Sequence, residues 1–259
     1  MSPSVSEHVM ALDTMKKYPA ELFYKGNLSL LHRPKVSIVG TRRPSLYTQQ
    51  TTYRLAQALS KRGVCVVSGA AMGVDAIAHE GAGADNTIAV VANGLDIRYP
   101  AVNQNMIRAI ENSGLMLSQF NDGFRAMAWS FVVRNEIVVA LGDILIVAEA
   151  DLDSGSMRSV AFAQKMGKVI WVLPHRMNES LGTQKLLLDS QAKVILDIEH
   201  FAARFGQAVK SEVAKDDFFY FCQKSPTFDE AVEKFGERVF EAELEGLLTI
   251  HNGMVRLET

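Results

Sequence analysis

Between residues 36 and 173 the chain keeps returning to one local pattern. A short apolar run ends in a glycine-bearing polar turn, and a stretch with helical spacing follows. Residues 36–39, 64–67, 87–92, 115–119, 143–147 and 169–173 are the predicted strands. Short apolar runs bounded by turn signals read as strands buried on both faces. Strands that alternate with helices over short loops assemble into a parallel sheet, covered on both sides through right-handed crossovers. The helical spacing predicts helices over 46–62, from Asp75 through Ala78, and over 103–112, 129–141 and 184–190, with a small-residue helix running to Met166. A last strand over 194–198 and a segment 200–205 are expected to close the domain.

The 259 residues allow one large α/β domain and something small beside it. Two cysteines, Cys65 and Cys222, exclude a disulfide framework and a cysteine zinc site, and suit a reducing compartment. No apolar run approaches bilayer length and no signal peptide is predicted, so the expected location is the cytoplasm. The net charge of −2 hides an asymmetry: residues 210–259 hold six Lys+Arg against eleven Asp+Glu, a balance of −5, which leaves +3 for residues 1–209. Residues 1–35 read as a short N-terminal cap packed on the main domain, which spans 36–206, and 207–214 as a linker. Beyond it, segments 218–223, 228–235 and 239–246 have helical spacing, and 247–257 reads as a two-stranded wing turning at Asn252-Gly253. Three helices and a hairpin predict a small winged-helix-like domain over 215–259.

Ligands on parallel sheets bind outside the carboxyl ends of the strands, where the glycine-bearing loops of this chain fall. Gly40, Thr41, Arg42 and Arg43 lead into a helix that Pro44 and Ser45 open. This is an anion loop with arginines able to grip phosphate, or a turn with two solvated cations. It lacks the spacing of a dinucleotide fingerprint and of a P-loop. In the stretch 68–75, Gly69 and Gly73 let backbone approach an anion or permit tight packing, and Ser68 can donate a hydrogen bond. Ser154, Gly155 and Ser156 form a third such turn after Glu149, Asp151 and Asp153; Asp153 and Ser154 suit helix capping better than a metal. Phe131, Arg134 and Asn135 share a helix on which the ring could stack a base while Arg134 holds a phosphate. His175, Arg176, Lys165 and Lys168 read as structural or solvated. No catalytic set and no metal site are evident.

In order along the chain, Gly40-Thr41-Arg42, the 68–75 loop, Tyr99-Pro100, Phe131-Val132-Val133-Arg134-Asn135, Ser154-Gly155-Ser156-Met157 and Ser180-Leu181-Gly182-Thr183 resemble the DprA/Smf DNA-processing proteins. The resemblance runs from about Ala20 to Ile198, and the tail resembles the winged-helix domain many members carry. It implies an extended Rossmann-like, doubly wound domain without a cofactor that binds single-stranded DNA, works as a homodimer and delivers the strand to the recombinase RecA during natural transformation. It further implies that Arg42 grips a phosphate, Phe131 contacts a base, Arg134 lines the same pocket, and a lysine after the Ser-Gly-Ser turn binds DNA, Lys165 ahead of Lys168. The helical N-terminal domain of some members is expected to be absent or reduced. Glu136 departs from the basic residue that many members carry after Arg-Asn, and the acidic tail suits a protein contact better than duplex DNA reading. The alternative is a Rossmann-like nucleotide-processing enzyme of the phosphoribohydrolase type, but its Pro-Gly-Gly-x-Gly-Thr-x-x-Glu signature does not match residues 149–156.

Overall fold

The computed structural model describes residues 1–207, 216–244 and 247–257, and over the first of these the apolar runs become strands. The order is β1 (Phe23–Gly26), β2 (Lys35–Val39), α1 (Leu46–Ser60), β3 (Cys65–Ser68), α2 (Val74–Ala82), β4 (Thr87–Val90), α3 (Gln104–Ser113) and β5 (Leu115–Ser118). Then come α4 (Ala128–Leu141), β6 (Ile144–Val147), α5 (Gly155–Lys165), β7 (Ile170–Val172), α6 (Leu181–Leu188), β8 (Lys193–Val194) and α7 (Ile198–Ala202). These strands make one 8-stranded sheet in the order β1-β5-β4-β3-β2-β6-β7-β8. All pairings from β5 to β8 are parallel, as the sequence predicts. The order reverses between β2 and β6, so the crevice favoured for ligands opens above their carboxyl ends.

The two faces of β2 explain the layers. Val36 and Ile38 are fully buried against Leu55 and Leu59 of α1 and Ala78 of α2. Val39 faces the opposite layer, where Ile137 and Leu141 of α4 and Val160 of α5 pack. Each fully buried Leu or Ile contributes about 1.5–3 kcal/mol through burial. Two polar side chains of β2 among them are partnered: Ser37 Oγ donates to Val138 O at 2.6 Å, and the buried Lys35 Nζ donates to Leu31 O and Arg33 O, each at 2.8 Å.

Residues 1–35 depart from expectation. They do not sit on the sheet as a cap: β1 is its antiparallel edge strand, with Phe23 opposite Ser118 and Gly26 opposite Leu115. The preceding 3₁₀ turn Met10–Thr14 sends Leu12 into the core beside α4. An edge strand buries neither face fully, so Phe23-Tyr24-Lys25-Gly26 carries no continuous apolar run to reveal it. The predicted linker lies outside the described residues except for Gln207.

The chain divides into two compact units, Met1–Val209 and Lys210–Thr259. In the second, α8 (Asp217–Cys222), α9 (Phe228–Phe235) and α10 (Glu237–Leu244) precede a hairpin of β9 (Leu248–His251) and β10 (Met254–Leu257) that turns at Asn252-Gly253. Phe218, Ala231, Val239, Leu248 and Val255 form a core of its own. Thr227 and Glu230 start α9 with reciprocal capping bonds. The end of the third predicted helix, Glu245 and Gly246, lies outside the described residues.

Candidate nucleic-acid interface

Three loops from β2, β3 and β6 meet the first turns of α4 in one open cleft. Its walls are Gly40–Arg42, Gly69 and Ala71, Ser154–Ser156, and Phe131 with Arg134 and Asn135. A smaller recess adjoins it on the side of β4, reached past Arg42 and Phe131 and lined further by Met72, Asn93 and Tyr99.

Backbone hydrogen bonds fix the loops to one another. Thr41 N donates to Glu149 O at 2.8 Å, which ties the β2 loop to the β6 loop. Val74 N donates to Thr41 O at 3.1 Å, which ties it to the start of α2. That contact requires Gly73: its φ is +78°, and a Cβ there would lie 2.5 Å from Thr41 O. At Gly69 a Cβ would run into the Arg134 guanidinium.

Arg134 is 4% exposed and is a positioning residue. Its Nη1 donates to Val90 O at 2.9 Å and to Gly69 O, and its Nε donates to Asn135 Oδ1 at 3.0 Å. The expected phosphate contact therefore gives way to a buried brace joining α4 to the ends of β3 and β4. Burial pulls the Arg134 guanidinium below the usual arginine range, while the Asp75 charge holds it up. Burial likewise raises the Asp75 carboxyl, against the Arg134 charge and amide donors including Ala71 N. Each is the other's countercharge in a site with little water.

Beside them His79 is 1% exposed. Its Nε2 accepts from Ala70 N at 3.2 Å, and its Nδ1 lies 2.6 Å from Thr87 Oγ1, whose own proton goes to Val66 O. These partners assign the neutral Nδ1–H tautomer. Burial, then the Arg134 charge, push the imidazole down to about 3.

The Phe131 ring and the Arg42 guanidinium face the cleft from this base. Phe131 is half-buried, with the Arg42 guanidinium carbon 5.4 Å and the Arg134 carbon 5.8 Å from its ring centroid. Arg42 is exposed and makes no ion pair among the described residues. Opposite, α5 begins at Gly155; Ser154 occupies its N-cap position without a side-chain cap bond. The hydroxyls of Ser154 and Ser159 are buried without partners, and the first N–H groups of a helix lack intrahelical acceptors. This end of the cleft offers donors and a positive dipole to an anion.

Several expected site residues lie elsewhere. Ser68 is fully buried and its hydroxyl donates to Ile38 O at 2.7 Å, so it is closed to an anion. Gly73 packs against the β2 loop, and Arg43 is exposed outside the cleft wall. Lys165 is in the last turn of α5, about 15 Å along the helix from Gly155, toward the amino ends of the strands. Lys168 Nζ donates to Ala140 O at 2.5 Å and to Gly142 O, capping the end of α4. Burial lowers its ammonium to about 8. Neither lysine lines the cleft. Of the expected capping residues, Ser154 takes the N-cap position of α5 but makes no side-chain bond there, while Glu149 accepts from Ser45 N at 3.0 Å and Ser45 Oγ at 2.9 Å at the start of α1. No metal-ligand cluster occurs among the described residues.

Arg158 escaped the sequence reading. It lines the cleft from the first turn of α5, three residues after Gly155, and one helical turn counted from the Ser-Gly-Ser loop would have found it. Tyr99 stood in a quoted motif without a role, and its ring lies 6.2 Å from Phe131.

A family model described as DNA recombination-mediator protein A matches residues 3–206. The chain is 36% identical over 191 residues to DNA processing protein DprA of Streptococcus pneumoniae, covering 72% of this chain and 67% of that protein. It is 33% identical over 216 residues to protein Smf of Synechocystis, covering 80% of this chain and 54% of the relative. The chain thus spans about half to two thirds of the length of these curated relatives. DNA processing protein A of Helicobacter pylori, solved for its single-stranded DNA binding mode, superposes with a TM-score of 0.76 at 43% identity, over 78% of this chain and 94% of that one. The S. pneumoniae structure gives 0.73 at 33% identity, over 80% and 75%. The matched segment carries every strand of the large sheet and every loop of the cleft, and the chain belongs to the DNA recombination-mediator protein A family.

Proposed function

We propose that the cleft binds single-stranded DNA with little preference for sequence, and that the chain acts by binding rather than by catalysis. The observation that carries this reading is the convergence of Arg42, Arg158 and the α5 N-terminus on an aromatic ring, Phe131, in one open groove. Cations and helix amides neutralise phosphates whatever the base, and an aromatic face stacks any base. The H. pylori relative, described by its single-strand binding mode, supports the same ligand.

In the cell, on this reading, the protein works as a cytoplasmic homodimer that hands the strand to RecA during natural transformation, and the C-terminal unit serves as a winged-helix-like protein contact. The family's description as a recombination mediator supports that role. The test is fluorescence anisotropy with labelled oligothymidylate at fixed salt. Arg42→Ala should weaken binding at least tenfold while the fold is retained, and wild-type affinity in the variant would refute the assignment. A stimulated RecA ATPase on protein-coated single strands tests the hand-off.

A nucleotide-processing alternative draws on the raised Asp75 carboxyl, since perturbed acids in clefts are candidate catalysts. Burial of the carboxyl accounts for that shift without chemistry. Release of free base from a nucleoside monophosphate by the purified chain would reverse this preference.

A further inference from the structure

Tyr99 follows β4 and is 49% exposed, outside every hydrophobic cluster among the described residues. Its hydroxyl makes no hydrogen bond among them, so its contacts do not explain an aromatic ring there. Its ring neighbour is Phe131, with centroids 6.2 Å apart and planes inclined by 50°. Both side chains line the recess beside Arg42 and Met72.

A base inserted between two rings needs parallel planes about 6.8 Å apart, twice the 3.4 Å stacking rise. The inclined pair leaves no such slot. Each ring can instead offer a face of its own. Bases lying on the two rings would be turned relative to each other by roughly the inclination of the pair, which breaks their mutual stacking. The Arg42 guanidinium lies over the Phe131 ring, 5.4 Å from its centroid, so a base stacking on that face displaces it toward the phosphate of the same nucleotide.

We propose that Tyr99 and Phe131 form a paired platform that takes two consecutive bases of a DNA strand and bends the strand between them. This rests on the single-strand reading above and names how the site rejects duplex. Paired bases cannot splay without losing stacking and pairing, whereas a flexible single strand bends freely.

The experiment uses the full chain and a short oligothymidylate carrying two adjacent 2-aminopurines, scanned along its length. Adjacent stacked 2-aminopurines give an exciton couplet in circular dichroism. At one position of the pair, wild-type protein should abolish the couplet, and Tyr99→Phe should do the same. Tyr99→Ala, an exposed substitution that leaves no buried polar group, should retain the couplet and bind about tenfold or more weakly. Binding with the couplet intact at every position, or wild-type behaviour of Tyr99→Ala, overturns the platform alone. Failure of the wild-type chain to bind any oligothymidylate overturns the single-strand reading, and the platform with it.

Discussion

Acid should unlock this fold at a known place, His79. The side chain is buried, neutral and bonded at both nitrogens, and protonation would set Nε2–H against the Ala70 N–H that it now accepts. Its pKa falls from 6.5 in the unfolded chain to about 3 in the folded one. The sign follows from linkage: a depressed folded pKa gives stability that is fully present above pH 6.5 and is lost as pH falls toward the folded value. The slope over that window is about 1.4 kcal/mol per pH unit, so moving from pH 7 to pH 5 removes roughly 2 kcal/mol. Against a total of about 5–15 kcal/mol that is readily measured. Urea unfolding of wild type and of His79→Gln at pH 7, 6 and 5 isolates the residue, because other titrating groups are common to both. The variant is less stable at pH 7 but should lose about 2 kcal/mol less than wild type on reaching pH 5. Equal losses in the two proteins would refute the buried neutral histidine.

Arg134→Met should destabilise the fold by about 3–5 kcal/mol, since it strands the Gly69 and Val90 carbonyls and leaves Asp75 without its countercharge; thermal unfolding checks this, and a second substitution, Asp75→Asn, should recover part of the loss. Lys168→Met should cost about 1–3 kcal/mol by uncapping α4, with oligonucleotide affinity unchanged; weaker DNA binding without a stability change would return this lysine to the site. Arg158→Ala should lower the slope of log affinity against log salt by about one, read by anisotropy titrations across a salt series.

The parallel sheet and the end of it that carries the cleft were legible because β2 to β7 are buried on both faces. Burial on both faces demands unbroken apolar runs, and Val36–Ser37–Ile38–Val39 and its counterparts supply them. The edge strand β1 was not legible, because a half-covered strand needs no such run. Loop chemistry and the family motifs mark Arg42 and Phe131, and the structure places both in the cleft wall. The lysines were misplaced for a geometric reason: nearness in sequence to the Ser-Gly-Ser loop is undone by three turns of helix, which carry Lys165 to the other end of α5.

What the sequence by itself determined is the alternation of elements and the side of the sheet where glycines and arginines collect, both local consequences of burial periodicity and turn chemistry. Tertiary structure decided which polar groups remain free. Ser68, Arg134 and Lys168 each carry donors suited to a phosphate, yet Ile38 O, Gly69 O with Val90 O, and Ala140 O with Gly142 O take them up. A buried carbonyl without a donor costs the fold about 1–3 kcal/mol, so the fold draws on these side chains first. Arg42 and Arg158, whose side chains have no carbonyl acceptor among the described residues, are left lining the cleft.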